Sequence, residues 1–395
     1  MDNELAFEGL KVVDFSQGVA GPHCGMLLAL NGADVIKLEP PAGDWGRAIG
    51  KQHGDFSAYN MAFNRGKRSL AIDVKDPNGF EAARRLALAA DVIVENNRPG
   101  VMQRLGLDYE AVRRRNDDVI YVSVTGFGQA GPRNNLPATD SVMQAFSGLM
   151  SVNLDYEGTP QRIGVLVIDV VTGLYAFQAV STALYRRVTR GGGKHISVSL
   201  MQSIAAVQAG KMVEFALEGA GGQKPGVPVG TYPTADGYIT VNARRDAHFR
   251  SLMALVGKPN WADDPKFATS EARVSNEAAL TDLLREAMPL KTSAQWSEAL
   301  SAADILNAPV NDYRDYFDDV HVKDTHSLAW VEHPSMGTVP IPEVPGTMSV
   351  GAQNAFAKSP ALGEHSVEIL RELEFDESDI EAMIAGRVLK CASAA

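Results

Sequence analysis

The chain has 395 residues, 45% hydrophobic and 22% charged, a globular composition too long for one ordinary core. Its net charge of −11 argues against nucleic acid as the main partner. Cys24 and Cys391 are the only cysteines, which excludes a disulfide scaffold or a cysteine-based zinc site and fits a reducing compartment.

The opening stretch, MDNELAFEGLKVVDF, lacks a basic head followed by an apolar run, so a cytoplasmic location is expected. Lys11 to Phe15 reads as a buried strand, Ser16 to Pro22 as a glycine-punctuated turn, Cys24 to Asn31 as a helix and Ala33 to Leu38 as the next strand. This βαβ unit points to a parallel sheet. Its turn lacks GxGxxG, so Gly18 and Gly21 are read as a tight strand-to-helix turn, without a nicotinamide cofactor. The alternation continues. Ser69 to Asp73, Asp91 to Glu95 and Val119 to Thr125 are expected as strands, and Pro77 to Ala89 and Asp108 to Arg115 as helices.

Val165 to Tyr185 (VLVIDVVTGLYAFQAVSTALY) is apolar on both sides and carries one charge, Asp169. A helix without a polar face belongs in a large core or in a subunit interface. It is long enough to span a membrane, but Asp169, Gly173 and polar Thr172, Gln178, Ser181 and Thr182 argue against that. Asp169 has two compatible readings: an N-cap accepting the amide of Thr172, and a desolvated catalytic carboxylate at a helix N-terminus. Arg186 to Lys194 follows as a basic, glycine-rich turn, then a strand His195 to Leu200 and a long helix to about Leu217.

Gly219 to Gly230 (GAGGQKPGVPVG) reads as a mobile loop or linker. Beyond it, Thr231 to Pro233 and Tyr238 to Asn242 flank Asp236-Gly237, a hairpin signal. Asp246 to Val256, Ser270 to Met288 and Ser293 to Ala302 are expected as helices of a second, smaller domain. Val339 to Pro345 reads as extended, and Gly363 to Leu373 and Asp376 to Ile384 as closing helices.

Taken together, these segments resemble the class III CoA-transferase family, typified by formyl-CoA transferase. The resemblance rests on GLKVVDFSQGVAGPHCGMLLALNGADVIKLEPP, NRGKRSLAIDVKDPNG, ADVIVENNRPGVMQRLGL, TGFGQAGP and LGEH, in that order along nearly the whole chain. It implies an α/β fold. The large, Rossmann-like domain has a parallel sheet and comprises residues 1–218 with 331–395. A smaller α+β domain covers 231–330, the segment 219–230 links the two, and two chains form an intertwined homodimer.

The resemblance also implies the site. Asp169 falls at the family's nucleophile, Asp140 at an acidic position near it (read equally as an exposed loop acid or a helix cap), and Gln17, Gly18, Val19 and Ala20 at the turn lining the CoA thiol. Gly219, Gly221, Gly222 and Gln223 match the flexible glycine loop over the site. Ile72, Asp73, Lys75, Asn96, Asn97, Arg98 and Arg104 match positions that hold coenzyme A. No metal is implied, and the eight histidines show no ligand spacing; His195 and His365 read as structural. The partners expected are an acyl-CoA, a small carboxylic acid and a second copy of the chain, with no nucleic acid and no membrane. The family's chemistry runs through an aspartyl anhydride and an aspartyl-CoA thioester, which must be kept from water.

Two positions depart from the formyl-CoA branch. Pro40 stands where that branch has an arginine, and Pro137 where it has a lysine. Phosphate contacts are then expected to be partly rewired, through Arg47, Lys67 or Arg133. Racemases on the same fold place a histidine within a GHD triplet, where this chain reads Ala138-Thr139-Asp140. Thr139 is no base near neutral pH, which counts against racemisation. A non-catalytic CoA-binding paralogue is the third reading, and the retention of Asp169 argues against it.

Overall fold

In the computed structural model, residues 5–155, 157–219, 226–350 and 355–392 are described. The chain divides into two compact units, residues 1–209 with 326–395, and residues 210–325.

The first unit is built on a seven-stranded sheet. Its strands are β1 (Lys11–Asp14), β2 (Asp34–Glu39), β3 (Arg68–Ile72), β4 (Val92–Glu95), β5 (Ile120–Thr125), β6 (Lys194–Ser199) and β7 (Leu389–Lys390). Their order is β7-β3-β2-β1-β4-β5-β6. Strands β1 to β6 pair in parallel, and β7 joins the β3 edge antiparallel, Leu389 opposite Ile72. The order 3-2-1-4-5-6 reverses between β1 and β4, and ligands of such sheets bind beyond the carboxyl ends of the strands at that reversal.

The strands were legible because parallel strands are covered on both faces and read as unbroken apolar runs. One face packs against α1 (Ala20–Leu30) and α4 (Val167–Arg190); the other packs against α2 (Pro77–Ala89) and the C-terminal helices Ser366–Glu372 and Glu377–Ala385. Helix α2 opens on Asp76, whose carboxylate accepts the amides of Asn78 and Gly79, with Pro77 in the first turn. Every residue of α1 is buried, including Pro22 and His23. The short α3 (Asp140–Phe146) precedes α4.

The second unit holds a three-stranded antiparallel sheet with Tyr238–Asn242 between Val229–Pro233 and Leu306–Pro309. Its hairpin turns at Asp236-Gly237 as the sequence indicates, with Tyr238 opposite Pro233. Helices Asp246–Leu255, Glu277–Ala287 and Ser293–Ala302 close its core around Trp296 and Phe249.

Several expectations are corrected. The basic turn after α4 is shorter than expected, because the helix runs on through Arg190 and ends at Gly191. The long helix expected to reach Leu217 is two, Leu200–Val207 and Ala209–Glu218, parted at Gln208 beside the weak helix former Gly210. The single helix expected over Ser270 to Met288 breaks at Asn276, whose side-chain amide donates to the carbonyls of Lys266 and Ala272 in competition with the backbone. The stretch from Val339 is extended as the sequence indicates, and through Pro342 it forms part of an antiparallel hairpin of Leu328–His333 with Gly337–Pro342. Helix α4 buries only one face within the chain. Ile168, Gly173, Ala176 and Val180 face inward, while Tyr185 and Val188 are 73% and 85% exposed.

Candidate active site

The turn from Ser16 to Val19 sits at the sheet's reversal. Asn96, just past β4, reaches across and fixes it from both sides. Its Oδ1 accepts the Gln17 amide at 2.8 Å and its Nδ2 donates to the Gln17 carbonyl at 2.7 Å. Gly18 has φ +81°, a conformation that suits glycine, and its amide donates to Asp44 Oδ1 at 2.8 Å. Val19 and Ala20 follow, buried at the start of α1.

Beneath this turn lies a network of buried charges. Lys37 Nζ stands 2.8 Å from Asp44 Oδ2, with both side chains fully buried, and donates to the Ser16 carbonyl at 2.7 Å. Lys67 Nζ donates to Asp14 Oδ2, the Pro22 carbonyl and Asn64 Oδ1 at 2.7, 2.8 and 2.9 Å. Arg47 grips both oxygens of Glu39 at 2.7 Å. Burial pulls the Lys67 ammonium down to about 8, although Asp14 works the other way. Burial also acts to raise the Asp14 carboxyl, but Lys67 and Lys37 more than offset it and hold the group below its usual range. This corrects one expectation. Arg47 and Lys67 are committed to internal partners and are not available to a phosphate. Arg133 is exposed, its guanidinium lying over the Phe146 ring at 5.3 Å.

Above the turn opens a cleft of about 330 Å³. Gln17, Asn96, Asn97 and Arg98 line it together with Trp45 and Pro137. The structure thus gathers four of the expected residues at one place. Asp73 and Lys75 lie on the loop beyond β3, where Asp73 Oδ1 accepts the Lys75 amide at 3.0 Å. Lys75 and Arg104 are exposed. Ile72 is fully buried in the core, main chain included, so the structure does not place it at an open ligand surface. Gly221 and Gly222 lie outside the described residues.

Asp169 is the third residue of α4 and half-buried. It does not cap the helix, as the sequence had allowed. The capping carboxylate is Asp140, 2% exposed, whose Oδ2 accepts the amides of Ile168 at 2.7 Å and Asp169 at 3.2 Å. Gln144, one turn along α3, orients it. Its Nε2 donates to Asp140 Oδ1 at 2.6 Å, and its Oε1 accepts the Ile163 amide at 2.8 Å. Two carboxylates are therefore held close together. Burial, with the charge of Asp140 adding to it, pushes the Asp169 carboxyl up to about 7.

Helix α4 meets α1 just beyond this point. A Cβ built on Gly173 would stand 2.7 Å from His23 Cβ and 2.8 Å from the Ala20 carbonyl, so only glycine allows this approach. Burial pulls His23 down to about 4, and the neutral ring donates from Nδ1 to the Val170 carbonyl at 3.0 Å. The start of α1 and the first turns of α4 are thereby locked together. Asp169 itself does not line the cleft, but Ala138, two residues before Asp140, does.

The comparisons with known proteins bear on the family. The model of CoA-transferase family III matches residues 7–366. The chain belongs to CoA-transferase family III. It is 34% identical over 380 residues to a succinate–glutarate CoA-transferase of Agrobacterium fabrum, covering 93% of this chain and 95% of that protein. It is 32% identical over 398 residues to the human succinyl-CoA:glutarate CoA-transferase, covering 98% and 91% of the two chains. A CAIB/BAIF family protein from Brucella suis superposes with a TM-score of 0.84 at 34% identity, over 94% of this chain and 100% of that one. This family III transferase is therefore an enzyme, one of a class that uses CoA thioesters as substrates.

Sequence reading missed the supports of the site. Trp45 and Asp44 carry no recognised motif. Lys37 and Glu39 look like surface positions on β2 until their partners are known. Gln144 stands four residues after Asp140, a helical spacing that could have flagged it. His195 and His365 have structural partners: Ser123 Oγ stands 3.0 Å from His195 Nε2, and the Ser69 amide donates to His365 Nδ1 at 3.2 Å.

Proposed function

We propose that this enzyme moves CoA from succinyl-CoA or a similar donor to a dicarboxylic acid, with Asp169 as the nucleophile. Relatives named for glutarate, D-citramalate and mesaconate motivate the choice of acid. The Asp169 carboxylate attacks the thioester carbonyl, the C–S bond breaks, and a mixed anhydride forms with release of CoA thiolate. The thiolate then attacks the aspartyl carbonyl and expels the first acid, leaving an aspartyl-CoA thioester. The acceptor carboxylate attacks that thioester, a second anhydride forms, and the returning thiolate takes the new acyl group and frees Asp169. Each step exchanges one acyl bond for another, so no water enters and the thioester energy is kept.

The observation that carries this reading is the pair Asp169 and Asp140. Asp140 satisfies the helix amides, which leaves the Asp169 carboxylate uncommitted to capping and raised to about 7. A partly desolvated carboxylate of raised basicity is a better nucleophile than a solvated one. Gln17, Val19 and Ala20 are assigned to the thiol end of CoA, and Ile72, Asp73, Lys75, Asn96, Asn97, Arg98 and Arg104 to its remainder. Gly221 and Gly222 belong to the loop proposed to close over the intermediates. The working form is proposed to be a cytoplasmic homodimer. Racemisation is disfavoured because Thr139 offers only a hydroxyl, 3.2 Å from Ser141 Oγ, where a second base is required.

Asp169→Asn tests the mechanism, since it keeps the shape and removes the attacking group. Transfer should fall by orders of magnitude while CoA binding survives. Wild-type enzyme mixed with acyl-CoA and trapped with hydroxylamine should carry its modification at Asp169, read by peptide mass. Near-normal transfer by the asparagine variant, with no adduct on the wild type, would refute it.

A further inference from the structure

Trp45 is a large apolar side chain left 55% exposed at a cleft lined by the amides of Gln17, Asn96 and Asn97, the Arg98 guanidinium and the smaller apolar groups of Leu136, Pro137 and Ala138. An isolated exposed apolar residue needs no explanation. Three features set this one apart. Its indole lies against the backbone of Gly18, so that a Cβ built there would overlap the ring. Its turn is stapled to the Ser16–Val19 turn by Asp44, whose Oδ1 accepts the amides of Gly18 and Gly46 at 2.8 and 2.7 Å. Ser57 Oγ holds the same turn by donating to the Gly46 carbonyl at 2.8 Å, and Lys37 neutralises Asp44 from below. The free face of the ring forms part of the cleft wall with Gln17, Asn96, Asn97 and Arg98. An aromatic surface held this rigidly loses little further entropy when a ligand settles on it.

We propose that Trp45 is a CoA-contacting residue whose indole carries the pantetheine arm. The inference rests on the CoA-transferase reading. The arm alternates apolar carbons with amides and ends in the thioester, which matches an apolar ring beside the amides of Gln17, Asn96 and Asn97. Gly18 then has two tasks: its positive φ makes the turn, and its missing side chain makes room for the platform. The glycine and the tryptophan form one functional unit.

Calorimetric titration with CoA and with adenosine 3′,5′-bisphosphate, the half that lacks pantetheine, tests the inference. Trp45→Ala should weaken CoA binding roughly tenfold, as expected on truncating an anchoring aromatic, and raise the KM for acyl-CoA. Binding of the bisphosphate should stay as in the wild type. Gly18→Ala should reproduce the loss, and the double variant should be no worse than either single one. The chain holds four tryptophans, so emission gives a second readout. CoA should change the emission of the wild type, and the change should vanish in Trp45→Phe, which decides the matter if the alanine variant does not fold. Unchanged CoA affinity in Trp45→Ala, equal loss of both ligands, or a dissociated dimer with normal CoA affinity would each overturn the inference. A wild type that binds no CoA would instead overturn the reading on which it rests.

Discussion

Three influences act on the Asp169 carboxyl, and their balance sets the working pH. Burial raises it first and the Asp140 charge raises it further, to about 7, while its place in the first turn of α4 favours the charged form. The attacking species is the carboxylate, so activity must be lost as the group takes up a proton. The log of kcat/KM should therefore rise with pH and level off above an apparent pKa near 7. Asp140→Asn removes the like charge, and its limb should move to lower pH. A pH–rate profile for both enzymes checks this, and an unmoved limb would separate Asp140 from the ionisation of Asp169. Sequence reading could place a carboxylate at the helix start but could not tell which aspartate caps it. The cap comes from Asp140, twenty-nine positions earlier in the chain, and only the folded loop brings the two together.

At the level of elements, strands, helices and the α1 turn were readable wherever a local pattern decides them. Apolar runs gave β1 to β5, and the Asp76-Pro77 start gave α2. The buried ion network was not readable, because Lys37 and Glu39 within β2 carry charges that ordinarily lie outside. They are tolerable inside only because Asp44 and Arg47, from the following turn, meet them. That makes the pairing fragile when one partner is removed. Lys37→Met should leave Asp44 buried and uncompensated and cost roughly 3–5 kcal/mol of folding stability. Replacing Lys37 and Asp44 together with Met and Leu should cost less than the single change, since no orphaned charge remains. Urea unfolding of the single and double variants measures the difference. The double variant should nonetheless lose transfer activity, because the Gly18 amide no longer has its acceptor.

At the scale of the whole molecule, the described surface keeps a large share of apolar groups in the open. Tyr185 and Val188 stand outward on α4, and Val213, Phe215 and Leu217 on helix Ala209–Glu218 are 59%, 61% and 79% exposed. Exposed apolar groups of this size on each of the two helices are expected to be covered by a partner surface. Helix α4 is also long and apolar enough to cross a membrane, but its inward face is already packed on α1, which favours a protein partner over lipid. We therefore expect a homodimer that persists at micromolar concentration without detergent. Phe215→Glu with Leu217→Glu places two charges on that helix and changes neither Asp169 nor a residue that lines the cleft. Sedimentation should show the wild type as a dimer and the double variant shifted to monomer, with activity lost in step with dissociation. Concentration should then raise the melting temperature of the wild type, because association and folding are coupled by mass action. A monodisperse wild-type monomer with full activity would refute the dimer and leave these side chains without a function.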